Sequence, residues 1–325
     1  MKSFLFVVFF YFTLLAQENY ELGHGYELKE SLLYVGGYIS ADYRKMDEQS
    51  RVRIDDIAFL AYGRKDNFSY MLELEFKEFY KRIKDKGVVT TTEDHKLYVE
   101  KVYLDYRIDD THVARLGKFN SPIGFWNLVP VNVLRETTSN PYTSQILFPR
   151  FTTGLTFKAS YFKESLLEFD VLVQHNASIA HEYNNYEQNR HYGLGVLHEK
   201  GDISIKLNGG YFKEEMQRDE SYSYLLLSAK YESDSFQVQA ESGAQKYSNL
   251  KNYASYLQGL YRFNENHAGV LRVESYKDAR SKISDSMGIL GYVYRPTYPV
   301  SFKIEYQQHK RNIQNQVMVS FSVLF

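Results

Sequence analysis

The chain has no cysteine, a single tryptophan and only six prolines among 325 residues. Without thiols, a disulfide-stapled scaffold, a thiolate metal site, a cysteine nucleophile and a lipid anchor on an N-terminal cysteine are all excluded. Past residue 16 no apolar run approaches the roughly 20 residues that a spanning helix needs, so a helical membrane protein is excluded as well. An excess of one charge is also missing: 39 Lys and Arg stand against 40 Asp and Glu. Nothing in that balance calls for nucleic acid as a partner.

What is present begins with an address. Met1 and Lys2 precede an apolar run, Ser3 to Ala16, that ends on a small residue. A charged start, a greasy centre and a small terminus form a secretory signal peptide, expected as 1–16 and set aside from the fold. The run is short of the roughly 20 apolar residues a spanning helix needs, which leaves a retained N-terminal anchor as the alternative. Residues 17–31 are expected as a short periplasmic segment with no room for a plug domain, and 32–325 as the body of the protein. That body holds most of 30 Tyr and 22 Phe. Aromatic-rich but mildly hydrophilic chains suit strands that are apolar on one face only.

Alternation with a period of two runs from about residue 32 to the end. Val317, Val319, Phe321, Val323 and Phe325 share one face, and Gln316, Met318, Ser320 and Ser322 share the other. Phe302, Ile304 and Tyr306 alternate with Lys303, Glu305 and Gln307, and Phe169, Val171 and Val173 with Glu168, Asp170 and Gln174. About sixteen such segments follow one another, with lengths near the 9–11 residues of a tilted spanning strand. Tight turns such as Lys163–Glu164, Lys200–Gly201–Asp202 and Ser233–Asp234 interleave with longer connections near 79–96, 119–150, 176–189, 213–221 and 277–284. One rim of short turns and one of long loops predicts a transmembrane antiparallel β-barrel of about sixteen strands. In lipid every backbone polar group must be paired internally, and only a closed sheet achieves this for strands.

Sixteen strands enclose more space than their own side chains fill, which predicts an aqueous channel. The inward faces carry both signs of charge. The pore-lining candidates are Arg53, Lys101, Asp105, Arg107, Arg115, Lys158, Lys206, Arg262, Arg272 and Lys303, joined by acids such as Glu73, Glu75, Glu241, Glu274 and Glu305. Mutual neutralisation and a selective anion path are both compatible with that mixture. Asp56 falls on the lipid face of a regular strand, so a bulge is expected near it.

The 119–150 connection is not a strand, because Pro122, Pro130, Pro141 and Pro149 punctuate it. Yet it holds the only tryptophan and many apolar residues, and a long loop of that kind folds against something. The expected place is the barrel interior, as a constriction formed by Lys118, Asn120, Pro122, Gly124, Trp126, Arg135, Glu136 and Arg150; an extracellular cap or a subunit contact is the alternative.

The run Arg115–Leu116–Gly117–Lys118–Phe119, followed by Pro122, Gly124, Phe125, Trp126 and Asn127, resembles the porin family typified by phosphate- and polyphosphate-selective porins. The resemblance covers about residues 113–141. It implies an inward-folded loop after the fifth strand, a homotrimer, and passive diffusion of small hydrophilic solutes or ions, with anion preference as the finer reading. The chain departs from the family in lacking a dense arginine run: Lys118, Arg135 and Arg150 are the only basic residues in or flanking the loop. Terminal Phe325, with alternate apolar residues before it, resembles the signal read by the barrel-assembly machinery. Outer-membrane lipid is then the third partner, after solute and assembly machinery. A structural or adhesive barrel without transport is the reading from another class.

Catalysis finds little support. His95, His175, His181, His191 and His309 are scattered, and none sits in a nucleophile motif. His181 and His191 with Glu187 are weak as metal ligands. No enzyme, metal or cofactor is expected.

Overall fold

The computed structural model describes residues 20–28, 32–129, 131–214, 220–310 and 315–325. The expected signal peptide lies outside the described residues, as do 17–19, 29–31 and Pro130. Sixteen long strands form the wall: β1 (Leu33–Met46), β2 (Gln49–Lys65), β3 (Phe68–Asp85), β4 (Leu97–Arg107), β5 (His112–Asn120), β6 (Phe151–Phe162), β7 (Leu166–Gln174) and β8 (Gln188–Lys200). The second half is β9 (Ile203–Glu214), β10 (Ser221–Glu232), β11 (Phe236–Tyr247), β12 (Leu250–Arg262), β13 (His267–Asp278), β14 (Ile283–Thr297), β15 (Val300–His309) and β16 (Gln316–Leu324). Each strand pairs antiparallel with its neighbours in the chain, and β16 pairs with β1 to close the ring. Gly37 and Phe325 exchange backbone hydrogen bonds of 2.7 and 2.8 Å at that seam, so the sheet has no free edge there. Two short pieces, Tyr20–Glu21 and Gly25–Leu28, form a hairpin whose second arm pairs with the start of β1.

The period of two becomes sidedness. Along β15, Phe302 and Ile304 are 44% and 48% exposed, while Lys303 and Glu305 between them are 3% and 1% exposed. The apolar outer band is what a hydrocarbon surround requires, and the charged face points inward. Tyr43, Tyr161, Tyr211, Tyr231 and Phe263 are exposed near strand ends, where interfacial aromatic girdles sit.

Three departures from regularity matter. First, the 79–96 connection is largely sheet. β3 continues to Asp85, and Val88–Glu93 returns along it. The turn is Lys86–Gly87, both at positive φ (46° and 87°), as a tight primed hairpin demands. Second, the bulge expected near Asp56 is at Asp55: Ala41 pairs with Ile54 but Ser40 with Asp56. The extra residue shifts the phase by one, so Asp56 turns inward and accepts from Ser40 Oγ at 2.7 Å. A second bulge makes Glu100 the extra residue between Val99 and Lys101, opposite Leu74 and Glu73.

Third, the interior is not polar throughout. Against β8–β13 a dry aromatic core contains Ile123, Leu147, Phe148, Tyr186, Phe212, Tyr222 and Tyr224. Phe212 and Tyr222 stack at 4.6 Å and 4°, and Tyr142 stacks on Tyr276 at 3.5 Å and 9°. This corrects the expectation of a uniformly polar inner face. Tyr222 and Tyr224 face inward, where the apolar residues of 123–148 pack against them.

Candidate functional site

The 119–150 connection leaves β5 and re-enters at β6, and its two feet are tied together. Ser121 N donates to Arg150 O at 2.8 Å, and Asn127 Nδ2 donates to Ser121 O and Arg150 O at 2.8 and 2.9 Å. Single 3-10 turns at Trp126–Leu128 and Asn132–Leu134, and one helical turn α1 (Thr143–Ile146), supply what regular structure it has. The rest is held by side chains of the wall, by bonds within the loop such as Arg135 to Asn140, and by Asn185 and Tyr186 of the connection before β8.

The anchors cross the barrel. Gly124 N donates to Asn208 Oδ1 of β9 at 3.0 Å. Phe125 N and Trp126 N both donate to Glu241 of β11, at 2.6 and 3.1 Å, and Thr143 Oγ1 joins them at 3.2 Å. Gly124 has φ +67°, and a Cβ there would lie 2.7 Å from Glu241 Oε1, so the close approach requires glycine. Farther along, Thr138 N and Ser139 N donate to Glu305 of β15 at 3.0 and 3.3 Å. Tyr142 N donates to Glu274 of β13. Loop carbonyls are met in turn by cations: Lys303 reaches Asn132, and Arg295 reaches Val133 O and Arg135 O. Arg272 donates to Thr137 Oγ1 and Ser139 Oγ at 3.0 and 2.6 Å. The arrangement matches unpaired loop amides to inward carboxylates and unpaired carbonyls to inward cations, which is how a non-helical segment satisfies its backbone away from bulk water.

The sequence-selected residues therefore divide into distinct environments. Arg272, Lys303 and Lys206 are inward but buried, the first two under the loop and Lys206 beside Asp170 at 3.5 Å. Lys118 is buried too, its Nζ donating to Val99 O and Ala180 O at 2.8 and 2.6 Å. Arg53 bridges Asp42, Asp55 and Glu78 at 2.5, 2.7 and 3.1 Å. Arg115 grips Asp105 with two bonds of 2.6 and 2.8 Å, and Lys158 meets Glu168 at 2.8 Å. Arg262, at the short-turn rim, meets Glu232 at 3.1 Å, and Arg107 is exposed at that same rim. Pro122 accepts from Asn208 through its carbonyl at 3.2 Å, Asn120 is half-buried beside the loop's first foot, and Glu136 pairs with Arg295 at 3.3 Å.

Two loop cations remain half-exposed. Arg135 spends Nε on Val129 O at 2.7 Å and Nη1 on Asn140 Oδ1 at 2.6 Å. Desolvation, helped by neighbouring Arg150, pushes its pKa down to about 10, and desolvation lowers Arg150 as well. Acidic groups of the β2–β4 wall act on both in the opposite sense: Asp56 and Glu100 on Arg135, and these with Glu75 on Arg150. On that wall the Tyr38 hydroxyl lies within 2.7–3.2 Å of Glu73, Glu75 and Glu100, and Lys101 meets Glu73 at 2.5 Å. These three carboxylates converge within 4.8 Å of one another, where Lys101 supplies a positive charge and the Tyr38 hydroxyl a hydrogen-bond donor. Sequence reading missed Arg295, Asn132, Tyr38 and Glu100. Glu100 gains its role from a bulged register, Tyr38 from the carboxylates that β3 and β4 bring to it, and Arg295 and Asn132 from the path of the loop.

Neither a family model nor a curated protein matches the sequence. Solved structures do match in shape. An anion-selective porin from Comamonas acidovorans superposes with a TM-score of 0.64 at 12% identity, over 91% of this chain and 100% of that one. The outer membrane channel DcaP of Acinetobacter baumannii gives 0.60 at 12%, over 93% and 100%. Salmonella typhi OmpF, in a complex with daunomycin, gives 0.61 at 9%, over 90% and 97%. At such identities the likeness is one of fold: this chain is a closed sixteen-strand antiparallel barrel, the fold that those outer-membrane proteins share.

Proposed function

We propose that the chain is an outer-membrane channel for passive diffusion of small hydrophilic solutes and ions, with 119–150 as its constriction and no enzymatic step. One observation carries this: a closed sheet, greasy outside and charged inside, receives a long loop whose backbone is bonded to inward side chains of strands on the far wall. A cap over the mouth would not bond to Glu241, Glu305 and Lys303 at mid-strand. On this reading water passes between Arg135, Arg150 and the acidic β2–β4 wall, away from the dry core beside β8–β13. Charges there are near balance, which supports a general channel of weak ion selectivity over a phosphate-type specific one. An anion-selective porin among the structural neighbours favours the anion-preferring branch. Export by residues 1–16, assembly through Phe325 and a homotrimeric state complete the reading. One of the superposing structures, OmpT of Vibrio cholerae, is described as a trimer form.

Planar-bilayer recording of the purified protein tests the proposal. Discrete ohmic steps are expected, with a small reversal potential in a salt gradient. Folded barrels that never conduct would overturn it in favour of a structural or adhesive role. Cross-linking in detergent checks the trimer.

A further inference from the structure

On the short-turn side of the loop a cleft of about 380 Å³ lies between the loop and strands β10–β12. Its two walls differ in chemistry. The loop presents Phe125, Leu128 and Val129, and Leu128 is 46% exposed, unusual for a side chain inside a barrel. The strand wall presents Gln239, Lys230 and Arg262. Both cations lean on one carboxylate, Glu232, at 3.0 and 3.1 Å. Arg135 and Glu136 at the loop edge of the cleft offset one another, so Lys230 and Arg262 against Glu232 leave about one unit of positive charge facing Phe125, Leu128 and Val129. Lys230 Nζ also stands 5.8 Å over the Phe125 ring, so charge and apolar surface meet within one small molecule's length.

We propose that this cleft is a binding site for small amphiphilic monoanions, a carboxylate joined to an aromatic or compact apolar body. The carboxylate takes a charge-assisted bond from Lys230 or Arg262, and the body covers Phe125, Leu128 and Val129, removing apolar surface from water. A neutral aromatic would forgo the first interaction and acetate the second. Solutes crossing the barrel would pause here on the periplasmic side of the constriction. The inference rests on the channel reading only in that ligand must reach the interior.

The chain carries its own probe, since Trp126, the single tryptophan, lines the same cleft. Trp126 emission of the full-length folded protein in detergent is titrated with sodium benzoate, benzyl alcohol and sodium acetate at constant ionic strength, with bilayer conductance measured in parallel. Benzoate is expected to give a saturable change, with benzyl alcohol and acetate each about tenfold weaker, the loss of one charge-assisted bond or one small apolar body. The double variant Lys230→Gln, Arg262→Gln is expected to weaken benzoate about tenfold. Leu128→Ser, at an exposed position that bears no fold load, is expected to weaken it about threefold. No saturable response overturns the proposal, as do equal responses to benzoate and benzyl alcohol, equal responses to benzoate and acetate, or benzoate binding that ignores Leu128→Ser. A conducting barrel without benzoate response sinks this inference alone, whereas benzoate binding without conductance supports it and sinks the channel reading.

Discussion

Replacing Glu241 with alanine should release the first limb of the loop without unfolding the barrel. The carboxylate is 1% exposed and accepts from Phe125 N, Trp126 N and Thr143 Oγ1 at 2.6, 3.1 and 3.2 Å. A hydrogen bond to a charged acceptor is worth about 1.5–3 kcal/mol, and the alanine also leaves two backbone amides without partners. Allowing for water replacing part of what is lost, the docked limb should be weakened by roughly 3–6 kcal/mol. At about 1.4 kcal/mol per factor of ten, that is on the order of a thousandfold in the docked-to-released ratio. The far limb, 131–140, keeps Arg295, Lys303, Arg272 and Glu305, so release is local. Trp126, now 7% exposed, should shift its emission to the red, and open-channel noise in the bilayer should rise. Glu241→Gln retains the size and one acceptor oxygen but not the charge, and should show about half the effect. Parent-like emission and quiet current in Glu241→Ala would refute the view that wall carboxylates hold the loop.

Deleting Asp55 removes the bulge but leaves Arg53 and Asp56 two positions apart and both inward, so the heat-modifiable folded band on gels is expected to persist; its loss would show that the Arg53–Asp55 contact at 2.7 Å, and not the phase of β2, holds this stretch. Gly117→Ala should impair assembly by the same gel assay, because Gly117 has φ +134° and a Cβ would stand 2.1 Å from Val102 O. Converting both Arg135 and Arg150 to Gln should move the salt-gradient reversal potential toward cations. Desolvation lowers the Arg135 pKa, yet the guanidinium keeps its full charge at neutral pH, so the parent carries both positive charges in this recording. An unchanged reversal potential in the double variant would remove both arginines from the conducting path.

The legible part of the protein is the part written in local periodicity. Strand sidedness repeats every two residues, so Phe302, Ile304 and Tyr306 declare an outer face and Lys303 and Glu305 an inner one without any knowledge of neighbours. Sixteen such segments, with turns that alternate in length, dictate a closed sheet, because no other arrangement pairs every strand amide in hydrocarbon. The bulge near Asp56 was legible for the same reason: a charge on the wrong phase breaks a strong local rule. The destination of the loop was readable only as an apolar, proline-punctuated segment too greasy for solvent.

Tertiary structure alone decided which charges stay open and which are committed. Thr138 lies 167 positions from Glu305, and Phe125 lies 116 from Glu241, so no window of sequence shows that those carboxylates serve loop amides. Arg272 and Lys303 read as pore charges in the strand pattern, yet the loop covers them. Ile123, Leu147 and Phe148 are far in sequence from Phe212 and Tyr222, yet together they form one dry core. In each case the alternation gives the face, while what lies on that face depends on a chain segment arriving from elsewhere, and that meeting exists only once the sheet has closed.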